Sequence, residues 1–202
     1  NIPAFVFRKE PKAYGLEVKV IKSEWGKPLN PKDFEKSLLE DENNDIRAVI
    51  LTHSETSTGV MNDLENITKI VKTNSTALVI ADCVTSLGAS NVPMDEWGID
   101  VIASGSQKGY MLPPGLSFVA MSKKAWEAYE QSNLPKFYLD LGMYKKAAKN
   151  NSNPFTPAVN LYFSLEQSLN MMKEEGLNNI FKRHTRHRDA VQAGIKSIGM
   201  KL

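Results

Sequence analysis

Cysteine is almost absent. Cys83 stands alone, so no disulfide can form within the chain, and a reducing compartment is the default. Histidine is scarce as well, with three in 202 residues, and no group of His, Cys, Asp and Glu has metal-ligand spacing. No apolar run approaches the roughly 18–20 residues that a membrane-spanning helix needs. The first residues lack the basic n-region of a secretory leader. Charge of one sign is missing too: 25 basic against 23 acidic side chains leave a formal +2, too little to argue for nucleic acid. Together these absences predict a soluble, cytoplasmic protein with no metal, membrane or nucleic-acid partner.

What the chain does contain is enough length for a sizeable core and an alternation of short apolar runs with amphipathic stretches. Residues 48–52 (Ala-Val-Ile-Leu-Thr) and 77–81 (Ala-Leu-Val-Ile-Ala) are continuous apolar runs, the kind buried on both faces of a parallel sheet. Residues 101–104 and 116–121 predict two more strands, and the alternation of Leu16, Val18 and Val20 predicts a strand over residues 16–21. Residues 2–7 have the composition of a short strand. Asn30 followed by Pro31 reads as a helix start. Asn62 is placed to cap a helix whose apolar face carries Leu64, Ile67, Ile70 and Val71, and Ser122 to cap one through Trp126 and Tyr129. Residues 137–141 read as a short extended segment and residues 145–153 as a basic, polar connector. Two long helical patterns follow, one through Leu161, Leu165, Leu169 and Met172, the other through Leu177, Ile180, Val191 and Ile195. Strands alternating with helices predict an α/β domain with a mostly parallel sheet flanked by helices.

Two stretches carry chemistry. The run at 77–81 ends in Asp82, and an apolar strand ending in an acid is where open α/β sheets place their ligands. Past Asp82 the side chains alternate, so Asp82 and Val84 share a face and Cys83 points away. The second stretch is Ser104-Gly105-Ser106-Gln107-Lys108-Gly109, followed by Pro113-Pro114-Gly115, which sets one lysine in a tight loop between two strands. An acid for a protonated ring nitrogen, a small apolar group beneath the ring and an amine for an aldehyde are what pyridoxal phosphate requires. On its own, Lys108 reads first as a solvated surface charge.

Residues 53–59 (His-Ser-Glu-Thr-Ser-Thr-Gly), 82–88 (Asp-Cys-Val-Thr-Ser-Leu-Gly) and 104–108 (Ser-Gly-Ser-Gln-Lys), with residues 95–100 and 153–157, resemble the class V aminotransferases of fold type I, in their alanine/serine–glyoxylate branch. The likeness runs from about Tyr14 to Leu202. It implies a pyridoxal 5'-phosphate enzyme that moves an amino group from alanine or serine to a 2-oxo acid such as glyoxylate. Lys108 would be its Schiff-base lysine and proton shuttle, with Asp82 on the pyridinium nitrogen and Val84 beneath the ring. Ser57 would bond the phenolic oxygen and Gln107 the phosphate. Thr156 would reach the phosphate in a neighbouring subunit, which implies a homodimer. The resemblance also implies a large cofactor domain over residues 1–175, with its N-terminal part missing or atypical, and the start of a small C-terminal domain at 176–202.

Two other readings stay open: a lyase or cysteine desulfurase on the same scaffold, and a non-catalytic fragment or structural subunit. Cys83 beside Asp82 fits a packing residue better than a nucleophile. His53, directly after a strand, fits a structural hydrogen bond as well as a cofactor contact. His184 and His187, among Lys182, Arg183, Arg186 and Arg188, fit a solvated helix face.

Overall fold

A computed structural model describes residues 11–202; the strand expected at 2–7 lies outside the described residues. In chain order the elements are α1 (Pro31–Leu39), β1 (Ala48–Thr52), β2 (Ser54–Glu55), β3 (Val60–Met61), α2 (Leu64–Asn74), β4 (Leu78–Asp82), α3 (Met94–Trp97), β5 (Val101–Gly105), β6 (Ser117–Met121), α4 (Lys123–Glu130), α5 (Leu141–Ala148), α6 (Val159–Glu175) and α7 (Leu177–Ser197). The main sheet has the order β1-β4-β5-β6, and β2 and β3 form a separate two-stranded ribbon. Strands β1, β4 and β5 are parallel, and β6 returns antiparallel to β5. A mostly parallel sheet flanked by helices is thus the architecture.

The register places the candidate site. Thr52 pairs with Asp82 at the ends of β1 and β4, and Asp82 pairs with Ala103 of β5. β1 and β4 therefore finish side by side, and β5 runs on past them to Gly105 at the same end of the sheet. The core forms where α1 and α2 cover this sheet, with Phe34, Leu38, Leu64, Ile67 and Val71 packed on Leu51, Val79, Ala81 and Ile102. Behind it, the buried Asp100 carboxylate accepts from Lys72 Nζ, from Val79 N at 2.8 Å and from Ser122 Oγ at 3.0 Å. One side chain so joins α2, β4 and the start of α4.

Four expectations change. Asp63, not Asn62, caps α2, accepting from Asn66 N. Asn62 is spent on longer-range work: its Oδ1 accepts from Leu29 N and its Nδ2 donates to Thr52 O, both at 2.8 Å. Residues 16–21 join no ladder, and Leu16 is exposed where Val18 and Val20 are half-buried; they and β1 line an open groove. Residues 137–140 form a turn in place of the expected extended segment, closed by Asp140 N donating to Phe137 O, and residues 141–148 form a helix that takes in the start of the expected connector at 145–153. Asp140 caps this helix by accepting from Gly142 N at 3.0 Å, and Lys145 lies 3.9 Å over the Trp126 ring. Its basic residues therefore pack on an aromatic neighbour as well as facing water. Among the described residues no helix is long and apolar enough to cross a membrane.

Candidate active site

Parallel strands leave their carboxyl ends free to carry loops, and three of those loops meet here. The first follows β1. Within it, Glu55 Oε1 accepts from Ser57 N at 2.9 Å and from Ser57 Oγ at 2.6 Å. The shorter bond has the length of a hydroxyl donating to a carboxylate. Gly59 N closes the turn on Glu55 O at 2.9 Å. Ser57 is thereby held at an exposed position with its O–H already directed.

The second loop follows β4. Asp82 is half-buried, and its Oδ1 accepts from Val84 N at 2.9 Å, which fixes the carboxylate relative to the next residue on its face. Val84 is half-buried, whereas Cys83 is fully buried, as strand alternation requires. Burial pushes the Cys83 thiol up to about 11, leaving it protonated at neutral pH. That removes the thiolate a cysteine nucleophile would need.

The third loop joins β5 to β6 and carries Gln107 and Lys108. It is nailed from inside by Ser106, which is fully buried. The Ser106 hydroxyl donates to Pro113 O at 2.7 Å and accepts from Leu116 N at 3.2 Å. Leu112 N donates to Ser106 O. From outside, Ser168 of α6 donates to Tyr110 O. Lys108 and Gln107 are both exposed, with the Gln107 amide folded over Gly105.

The second and third loops touch through glycine. A Cβ on Gly109 would stand 2.4 Å from Leu87 O and 3.0 Å from Gly88 C. The Lys108 loop is therefore pressed against the turn that carries Asp82 and Val84. First and second loops are joined by His53 Nδ1 to Ser86 Oγ at 2.9 Å and by Thr56 Oγ1 to Thr85 Oγ1 at 2.7 Å. The structure so gathers Ser57, Asp82, Val84, Gln107 and Lys108 on adjoining loops of one sheet edge. Thr156 is exposed in the connection between α5 and α6, and no hydrogen bond joins it to those loops among the described residues.

Sequence reasoning passed over Glu55, Ser86 and Ser106. Only Glu55 left a local signal, an acid two residues ahead of a turn serine. The side chains fit pyridoxal phosphate: a carboxylate held at one oxygen for a ring N–H, a hydroxyl oxygen with free lone pairs for a phenolic O–H and an exposed primary amine for an aldehyde.

Known proteins resemble the chain in sequence and in fold. The aminotransferase class-V family profile matches residues 5–201. The chain is 57% identical over 190 residues to the soluble hydrogenase 42 kDa subunit of Anabaena cylindrica, covering 94% of itself and 50% of that protein. It is 39% identical to an L-aspartate–glyoxylate aminotransferase of Paracoccus denitrificans, over 94% of this chain and 48% of the other. Among solved structures, an alanine–glyoxylate aminotransferase from Nostoc sp. superposes with a TM-score of 0.86 at 30% identity, over 95% of this chain and 50% of that one. The chain spans about half the length of the curated relatives it matches.

Proposed function

The chain belongs to the class-V aminotransferase family, and from that premise we propose that it carries the cofactor loops of a pyridoxal-phosphate transaminase. The amino group would move from alanine or serine to a 2-oxo acid such as glyoxylate. The observation that carries this reading is the close approach of Gly109 to Leu87 O, because it sets the lysine loop against the aspartate turn. The choice of glyoxylate is supported by relatives named for it.

When bound, pyridoxal phosphate supplies an aldehyde for an amine and a ring that takes up electrons from the substrate Cα. Lys108 would hold that aldehyde through Nζ, and its amine would be the group to take and return a proton at the substrate Cα. Asp82 holds the proton on the ring nitrogen, and its bond from Val84 N keeps the carboxylate from turning away. Val84 gives the ring an apolar floor. Ser57, whose own proton is committed to Glu55, would accept a hydrogen bond from the phenolic O–H. Gln107 binds the phosphate, and Thr156 binds it from a second copy of the chain in a homodimer.

A half-reaction screen tests this. The intact protein loaded with pyridoxal phosphate should lose its visible band when alanine or serine is added, and glyoxylate should restore the band with release of glycine. Sulfide released from cysteine would instead favour the desulfurase reading. A band that no amino acid alters would favour a structural subunit.

A further inference from the structure

One buried titratable group at this sheet edge has no part in the chemistry above: His53, 4% exposed. Its backbone N–H donates to Asp82 O at 2.9 Å, extending the β1–β4 ladder one residue beyond the strands. Its ring Nδ1 pairs with Ser86 Oγ at 2.9 Å. Ser86 is itself buried, at 1%, inside the turn that begins at Asp82. Its N–H donates to Cys83 O at 3.2 Å, and its carbonyl accepts from Ser90 N at 2.8 Å. The Trp97 ring meets the imidazole edge to face, with centroids 6.1 Å apart, and keeps it from swinging out.

We infer that His53 is a positioning residue: through Ser86 it locks the loop carrying Ser57 to the turn carrying Asp82 and Val84, so that the two face one ligand as a single wall. This rests on the pyridoxal-phosphate reading. Two features of the site support it. The same two loops are tied a second time at the exposed rim, by Thr56 and Thr85, so the join is made at two depths. Burial also holds the imidazole below its ordinary value, so the tie is an uncharged hydrogen bond at neutral pH. A wall assembled before the ligand arrives loses less freedom on binding. If His53 did no more than fill space, its loss would lower stability without touching ligand affinity.

The test measures the pyridoxal-phosphate dissociation constant and the melting temperature of the intact protein. The set comprises wild type, His53→Asn, His53→Gln, Ser86→Ala and the His53→Gln/Ser86→Ala double variant. Loss of one buried hydrogen bond should weaken binding about tenfold in His53→Gln and in Ser86→Ala. The double variant should be no weaker than either single, since both break the same bond. His53→Asn, which keeps a polar atom near the Nδ1 position, should recover most of the affinity. Variants that melt earlier yet bind the cofactor as wild type does would overturn the inference, and so would additive losses in the double variant. If His53→Gln does not fold, Ser86→Ala against Thr85→Val decides: the buried tie should weaken binding more than the exposed one, and equal affinities would overturn the inference. A wild type that binds no pyridoxal phosphate would overturn this inference together with the reading beneath it. Unaltered affinity in every variant of a wild type that does bind would overturn this one alone.

Discussion

Gly109 and Leu87 stand so close that a Cβ on the glycine would lie 2.4 Å from the Leu87 carbonyl oxygen. That oxygen belongs to backbone, which cannot move aside without carrying the 83–88 turn with it. Gly109→Ala should therefore push the Lys108 loop off the Asp82 turn. Pyridoxal-phosphate affinity should fall by at least tenfold, with a loss of roughly 1–3 kcal/mol in unfolding free energy from overpacking. Cofactor titration and urea unfolding read the two effects, and an alanine variant with wild-type affinity would show that the approach of the two loops is not required.

Glu55 directs the Ser57 hydroxyl through a 2.6 Å bond. Removing a charged acceptor of this kind is worth about 1.5 kcal/mol or more. Glu55→Ala should weaken cofactor binding roughly tenfold and lower the unfolding free energy by about 1 kcal/mol, because the same carboxylate holds the 55–59 turn together. Equilibrium dialysis against pyridoxal phosphate and urea unfolding measure the two.

Asp100 tests the frame behind the site. Burial would raise its carboxyl, but the hydrogen bond from Lys72, with those from Val79 N and Ser122, holds it below the ordinary carboxylate value. A carboxyl lowered by folding contributes its stability in full above the unfolded value, near about 4. That contribution is lost as pH falls through the folded value. Urea-unfolding free energies should therefore drop on acidification below about pH 4. Asp100→Asn should flatten that drop and cost roughly 3 kcal/mol at neutral pH, the effect of breaking a buried pair.

Cys83 is expected to be chemically silent. Fully buried, with its thiol pushed up to about 11, it should resist alkylation at mildly alkaline pH and react once denaturant is added. Cys83→Ala should keep the amino-group transfer and cost about 1 kcal/mol as a small truncation in the core. Loss of activity in that variant would favour the desulfurase alternative.

Much of the fold was legible because its signals are local. The unbroken apolar run of β1 and the caps at Asn30 and Ser122, which accept from Lys32 N and Ala125 N, could be read within a few residues. The cap of α2 could not. Asn62 and Asp63 are equally able to cap, and what withdraws Asn62 is a pair of bonds to Leu29 and Thr52. The apolar alternation at residues 16–21 carries no information on pairing, which depends on an edge that the pattern does not name, and Leu16 of that pattern is exposed. Lys145 and Lys146 disguised α5, since a cation resting on Trp126 looks in sequence like a solvated one.

The candidate site divides in the same way. Asp82 stood out as an acid ending an apolar strand and Lys108 as an amine in a small-residue loop. The bonds that assemble their surroundings join residues far apart in the chain. His53 meets Ser86 across 33 positions, and Ser168 meets the Tyr110 carbonyl across 58. Sheet order and helix packing create those meetings, and no spacing rule anticipates them.

The central claim is that Lys108 is the amine that holds pyridoxal phosphate. Borohydride reduction of the loaded, intact protein locks the cofactor onto whichever amine carries it, and peptide mass spectrometry then locates the label. The label should fall on Lys108, with the visible band lost on reduction and absent from Lys108→Ala. A label on another lysine, or a band that persists in Lys108→Ala, would contradict the account.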